Sequence, residues 1–360
     1  MRRNNKNYRI LAINPGSTST KIALFENERE IFYTTISHSA EELSRFKSIM
    51  EQKDYRTNLV LKELEEKGVE LSSLSAVVGR GGLLKPLESG TYEVNEKMIE
   101  DLKRAERGEH ASNLGAVIAM EIAKMAGVKA YIVDPVSVDE LPKIAKITGM
   151  KEIEKPVLSH ALNTKAVAKR FAREKGTLYE KLRLIVVHLG SGNSISAHVG
   201  GKMVDVTNSM EEGSFGMDRA GGVPCMQLLK LAFSGKYEFK ELKRKLFGEG
   251  GMYSYLGIKD FRDVEKRIIN GDDEAILITD SMIYQIAKDV GAMATVLNGK
   301  VDAILITGGL AKSDWLVKNL RRRIEFIAPV HVYPGEDELR ALTEGALRVL
   351  KGEEQAKIYS

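Results

Sequence analysis

Cysteine is nearly absent: the 360 residues hold one, Cys225. That excludes an internal disulfide and fits a reducing compartment. Cys225 itself reads as a small core hydrophobe. No apolar run reaches about 18 residues, so no helix is expected to span a membrane. The opening MRRNNKNYR is basic, but it leads straight into a strand with no signal-peptide apolar region. Cytoplasm is the expected setting. A large charge of one sign is missing too, since 54 Lys and Arg stand against 50 Asp and Glu. Nothing in that balance argues for nucleic acid. The short basic runs Lys243–Lys245 and Arg321–Arg323 read as solvated helix faces. No low-complexity segment or long linker interrupts the chain.

What is present is ample apolar material, 43% of residues, in a chain too long for one typical domain. Two domains are expected. The chain is organised around Arg9–Leu24, RILAINPGSTSTKIAL. Apolar runs at Ile10–Ile13 and Ile22–Phe25 flank a turn of small hydroxyl residues, which predicts a hairpin. Gly16 lets backbone approach a ligand, and turned amides with hydroxyls favour an anion such as phosphate. It is not a Walker A loop, which needs Gly-Lys-Ser/Thr opening a helix. Alone, the stretch also reads as an ordinary polar turn.

Leu184–Val199, LIVVHLGSGNSISAHV, writes the same pattern again. Asn14 falls on His188, Gly16 on Gly190 and Ser17 on Ser191. A repeat this widely spaced implies two similar halves rather than a solenoid. Each half would present one small-residue turn to a cleft between them. A third piece is the strand Asp302–Thr307 followed by Gly308-Gly309-Leu310-Ala311 and a helix from Ser313, a natural nucleotide contact. Three such turns in this order are far more specific than one.

Along the chain, Glu30–Ser37 predicts a third strand and Ala40–Lys67 a helix ending at Gly68. A strand at Ser75–Val78 runs into Gly79-Arg80-Gly81-Gly82, and an arginine among glycines suggests close approach of an anion. Ser112 reads as the N-cap of a helix reaching about Met125, closed by Gly127. Ala130–Val133 is a strand ending at Asp134. Ile144–Pro156 reads as a junction, and Ser159-His160 opens a helix through Lys175. Arg219 lies in a second glycine-rich loop, Glu212–Gly222. Helices are expected at Val223–Phe233, Glu238–Phe247 and Asp272–Asn298, with a strand at Val330–Tyr333 and a last helix over Glu336–Leu350. Trp315 reads as core.

The strings ILAINPGSTSTK, VVGRGGLLKPLESGTYEVN, VDPVSVDEL, SHALN, VVHLGSGNSIS, GMDRAGGVP, ITGGLA and PGEDELRAL carry a resemblance over nearly the whole chain. Their order and spacing resemble the acetate and butyrate kinase family, within the actin–sugar kinase–Hsp70 superfold. Acetate kinases carry histidine beside the first arginine, in a pattern like R-x-x-H-G-G. Here Arg80 precedes Gly81-Gly82-Leu83-Leu84, and Arg219 lies in Met-Asp-Arg-Ala-Gly-Gly. Those forms resemble the butyrate branch, with acetate or propionate as the alternative acid.

The resemblance implies an α/β fold of two actin-like (ribonuclease H-like) domains with a nucleotide cleft between them. Residues 1–137 with 343–360 would form the first, and residues 138–342 the second, carrying the nucleotide site. The implied reaction is ATP plus a short-chain carboxylate giving ADP and an acyl phosphate, reversibly. A carboxylate is already ionised at pH 7, so catalysis rests on positioning and cations rather than a strong base. By family position Arg80 and Arg219 would clamp carboxylate and phosphoryl oxygens, and His160 would hydrogen-bond the phosphoryl group. Asp134 would orient an arginine or the acid. Asn14 and Glu338 match the magnesium-side residues. Ser17, Ser19, His188, Gly190 and Gly192 match the phosphate turns, Gly308 and Gly309 the adenosine turn, and Asp260 and Arg262 the nucleoside-side Asp-x-Arg. Leu83, Leu84, Phe215, Met217 and Val223 could wall the acid pocket, or be core packing.

A chaperone-type ATPase of this superfold would not need the arginines and His160, and it carries a peptide-binding domain for which the chain leaves no room after Ser360. A sugar kinase needs an aspartate base for a neutral hydroxyl. Both rank below the carboxylate kinase. A homodimer or larger homo-oligomer is expected from the family, with no nucleic-acid or membrane partner.

Overall fold

The computed structural model describes residues 6–208 and 210–360. Residues 1–5 of the basic opening stretch lie outside the described residues. The chain forms two compact units. One comprises Met1–Asp139 with Asp337–Ser360, the other Glu140–Glu336.

In the first unit β1 (Arg9–Pro15), β2 (Ser19–Glu26) and β3 (Arg29–Ser37) run as an antiparallel meander. β4 (Ala76–Arg80) then pairs parallel to β1. β5 (Thr91–Glu93) lies antiparallel beside β6 (Lys129–Val133), which is parallel to β4. Ile10, Leu11, Ala12 and Ile13 are all fully buried, so both faces of the strand are covered and the run reads apolar rather than alternating. The helices Asn113–Ala126 and Glu338–Leu350 both pack on β1, β4 and β6.

The second unit repeats the plan. β7 (Arg183–Leu189), β8 (Asn193–Val199) and β9 (Lys202–Asn208) form the meander, and β10 (Ala303–Gly308) runs parallel to β7 with β11 (Val330–Pro334) outside it. The pattern of alternation separates two layers. Ile185, Val187, Ile304 and Ile306 pack with the long helix Asp273–Val296, while Leu184, Val186, Ala303 and Leu305 pack with the helix Ala161–Glu174. Both meanders carry a bulge at matching places, Leu24/Phe25 and Ala197/His198. The first turn is one residue longer, because Pro15 faces Thr20 where Leu189 faces Asn193. Each unit thus holds its own α/β sheet, as the doubled pattern implied.

Several expectations are corrected. The helix over Ala40–Lys67 is broken. Ala40–Leu43 is one turn, closed at its start by a Ser39–Glu42 capping box, and the chain resumes helix only at Lys53–Glu66. Between them Phe46 leaves the spiral to pack on Tyr55, ring centroids 5.5 Å apart, and the Glu51 carboxylate accepts from Lys47 N–H at 2.8 Å. Ser112 does stand before its helix, but its hydroxyl bonds His110 Nδ1 at 2.8 Å and caps no helix N–H. Cys225 is exposed rather than core. Its helix, Cys225–Ala232, buries none of its residues. Trp315 is half-buried against the core of its unit. β5, the helices Glu96–Arg104 and Phe261–Ile269, and a last strand β12 (Lys357–Ile358) beside β5 were not anticipated.

Candidate active site

β1, β4 and β6 are parallel, so their C-terminal ends share one edge of the sheet, where α/β folds place their chemistry. Asn14 stands near the end of β1, Arg80 ends β4, and Asp134 follows β6. Glu338 opens the helix Glu338–Leu350. Its carboxylate takes one hydrogen bond from Asn14 Nδ2 and ion-pairs with Arg80 Nη1 through its other oxygen. These side chains are mostly buried yet reachable, 17% exposed for Arg80 and 16% for Glu338. The neighbouring acids have other partners: Asp337 pairs with Arg340 in the first unit, and Glu336 lies 3.1 Å from His188 Nε2 in the second.

Arg80 is delivered by unusually close backbone packing. A Cβ on Gly115 would stand 2.1 Å from the Arg80 carbonyl oxygen, so the helix Asn113–Ala126 lies directly against β4. Asp134 is buried with φ +38°, in the left-handed region a side chain rarely enters. Its Oδ1 accepts from Ser89 Oγ at 2.6 Å and from Gly90 N–H at 2.8 Å. Strain of this kind gathers at functional sites.

The turn after β1 is drawn tight by Gly16 N–H donating to Ser19 O at 2.7 Å. Ser17 and Thr18 are exposed at its tip. Beneath it lies Arg56, fully buried, an arginine that sequence reasoning missed. One arginine on a charged helix looks like any surface arginine until tertiary structure covers it.

In the second unit β7 and β10 are parallel and end together at Leu189 and Gly308, with His188 paired to Thr307. His188 is buried; its ring stacks on His160 with centroids 3.9 Å apart, and Asn163 Oδ1 holds its Nδ1 at 2.9 Å. Ser194 Oγ lies 2.9 Å from His160 Nδ1. Asn163 and Ser194 therefore orient the imidazole pair, and both stand inside strings already singled out, SHALN and VVHLGSGNSIS. Gly308 has φ +95°, and a Cβ there would stand 2.2 Å from the Leu189 carbonyl oxygen. Only glycine lets β10 close on the turn Gly190–Gly192.

The Arg219 loop is tied to that same turn. Met217 N–H donates to Ser191 O at 2.9 Å, and Asn193 Nδ2 donates to Phe215 O at 2.8 Å. The far side of the loop pairs with the end of the helix Phe239–Leu246, Ala220 N–H donating to Leu246 O at 3.0 Å. Gly216 of the loop thereby packs directly on Ser191 and Gly192, and the Arg219 carbonyl accepts from Gly216 N–H at 3.0 Å. A cavity of about 570 Å³ opens nearby, lined among others by Ser191, Met217, Asp260, Arg262, Gly309 and Lys312. Asp260 caps the helix Phe261–Ile269 and grips Arg262, both carboxylate oxygens 3.0 Å from Nε. The hydrogen bonds from Arg262 hold the Asp260 carboxyl down to about 2. Of the possible acid-pocket residues, Leu84 and Phe215 are core in their own units, Met217 is buried while bordering the cavity, Leu83 is half-buried and Val223 is 39% exposed.

Among the described residues no cluster of three or more His, Cys, Asp or Glu forms a metal cage. Glu338 and the Asn14 amide oxygen are instead a sparse pair of hard donors, and Glu338 would exchange its contacts to Asn14 Nδ2 and Arg80 to hold a cation. That set suits Mg²⁺, which keeps waters and takes its remaining oxygens from phosphates.

Residues 158–331 match the acetokinase family. The chain is 52% identical to butyrate kinase 1 and 50% identical to butyrate kinase 2 of Clostridium acetobutylicum, covering 98% of this chain and 99% of each relative. Among solved structures it resembles the acetate kinase of Porphyromonas gingivalis, with TM-score 0.80 at 19% identity over 95% of this chain and 100% of that one. The structural likeness shows the shared two-domain actin-like fold. The sequence likeness covers nearly the whole chain. The chain belongs to the acetokinase family and is a short-chain carboxylate kinase, a phosphotransferase whose acceptor is a carboxyl group.

Proposed function

We propose that the chain transfers the γ-phosphoryl group of ATP to butyrate, or to a branched short-chain acid such as isobutyrate, reversibly and with Mg²⁺. The observation that supports this most directly is the Asn14–Glu338–Arg80 cluster at the C-terminal edge of the sheet. It sets a guanidinium fork beside hard oxygen donors, the set needed to gather a carboxylate and a phosphoryl group. Both butyrate kinases of C. acetobutylicum match over nearly the full chain, which favours butyrate over acetate.

In this reading Arg80 and Arg219 clamp carboxylate and phosphoryl oxygens, since the planar fork suits both. His160, with Nδ1 set by Ser194, hydrogen-bonds the phosphoryl oxygens as charge develops. Asp134 orients the loop of Ser89 and Gly90 and is no general base; an ionised carboxylate needs none. Ser17, Ser19, His188, Gly190 and Gly192 hold phosphates. The cavity beside Asp260, Arg262 and Gly309 has the size of a small-ligand site and takes the nucleoside. Glu338 and Asn14 would hold Mg²⁺, which neutralises phosphate charge when bound. The exposed apolar residues Met226, Leu229, Phe233 and Phe239 favour a homodimer or larger assembly. Cytoplasm is the proposed setting.

The test is acyl-phosphate formation, trapped as hydroxamate, with ATP, Mg²⁺ and a panel of straight and branched acids. The proposal expects butyryl phosphate and ADP in equal amounts. ATP hydrolysis without acyl phosphate, or phosphorylation of a sugar, would overturn it.

A further inference from the structure

Arg56 is fully buried on the helix Lys53–Glu66, directly beneath the turn Gly16–Ser19. Nη1 donates to Gly16 O at 2.8 Å, Ser19 O at 3.2 Å and Thr20 Oγ1 at 3.2 Å. Nη2 donates to Ser17 O at 3.2 Å and to Gln52 Oε1 at 2.8 Å, and Nε also meets Gln52 Oε1 at 3.0 Å. The remaining carbonyl of the turn, Thr18 O, accepts from His38 N–H at 2.8 Å. Three of the four carbonyls are thus drawn toward the buried guanidinium, and the fourth is occupied by backbone. The N–H groups of Ser17 and Thr18, at the exposed tip, have no partner among the described residues. No carboxylate among the described residues ion-pairs with Arg56, and a buried charge without an opposite charge is costly.

We infer that Arg56 is a positioning residue for phosphoryl binding: it holds the carbonyls of Gly16, Ser17 and Ser19 inward, so that the tip amides of Ser17 and Thr18 face a phosphoryl group, and supplies a fixed positive charge behind them. The inference rests on reading this turn as a phosphate turn. The guanidinium reaches no ligand itself. Its fork bonds three carbonyls at once, which a point charge does not. Its charge adds to the field of the turn amides, and a bound phosphoryl group provides the missing counter-charge. Gln52 fixes the fork from the other side.

The experiment compares Arg56→Met, Arg56→Lys, Gln52→Leu and Ser17→Asp with the unaltered chain, reading KM for ATP, butyryl phosphate and butyrate alongside melting temperature. Arg56→Met should raise KM for ATP and butyryl phosphate about tenfold or more while moving KM for butyrate less than about threefold. Arg56→Lys should fall between, and Gln52→Leu should shift the same two constants in the same direction. Ser17→Asp tests the phosphate turn itself. If it leaves both phosphoryl constants unchanged, the phosphate-turn reading fails and takes the inference with it. If Ser17→Asp impairs them while the Arg56 variants change only melting temperature, the role of Arg56 alone is overturned. Should Arg56→Met not fold, Arg56→Lys and Gln52→Leu decide by the same split.

Discussion

At the scale of single residues, Arg80 and Arg219 are proposed to act on substrate, whereas the buried Arg56 acts through the turn above it. Arg80 is held by Glu338 and Arg219 by its loop, and both keep accessible surface. Replacing either with Ala should lower turnover by about 10²–10³, the usual loss for a preorganised donor facing developing charge. Lys should rescue poorly, because it keeps the charge and loses the fork. Steady-state kinetics on each variant checks this, and near-wild-type turnover in both alanine variants would remove the clamp. Two buried histidines make a second prediction. Burial, with Arg56 nearby, pushes His38 down to about 4. Burial, with Lys165 nearby, pushes His198 down to about 3. Both start near 6.5, so the unfolded chain binds protons that the folded chain refuses. Their contribution is complete above pH 6.5 and is lost as pH falls through that window. By pH 5 each should have cost about 2 kcal/mol. Denaturant unfolding between pH 7.5 and 5 should show this decline, and His38→Gln should flatten part of it. A flat profile would contradict the burial of both rings.

At the scale of elements, the glycine contacts carry the next prediction. Gly308→Ala would drive a Cβ into the Leu189 carbonyl, and Gly115→Ala into that of Arg80. Neither backbone atom can swing aside, so each should cost about 1–3 kcal/mol or more, as overpacking does. Thermal melting would show it, and Gly308→Ala should also raise KM for the nucleotide. An unchanged melting temperature would mean the strands and turns tolerate separation. The repeated hairpins were legible because buried parallel strands read as apolar runs and their turns as small residues. The break in Ala40–Lys67 was not, since Phe46 fits a helical period and leaves it only for Tyr55. β5 and β12 are short strands that each other's backbone helps define, so no local pattern marks them. Arg56 carried no reading in the sequence, whereas Cys225 was expected in the core and is exposed. A charged residue was covered, and an apolar helix was left bare.

At the scale of the whole molecule, one plan is used twice. Each unit builds a meander with a parallel strand beside it and puts polar residues at the strand ends. The sequence likeness identifies the chemistry, and the proposal of butyrate is tested by how the chain discriminates acids of different length. Butyrate exceeds acetate by two methylenes, each worth about 0.8 kcal/mol when buried. A pocket enclosing both favours butyrate by about 1.6 kcal/mol, or roughly 15-fold in specificity constant. Propionate and isobutyrate should be less sharply rejected. The most direct test is kcat/KM for butyrate against acetate on the unaltered chain, with ATP and Mg²⁺ saturating. A preference for butyrate near that ratio is the expected result. Equal constants, or a preference for acetate, would contradict the butyrate reading.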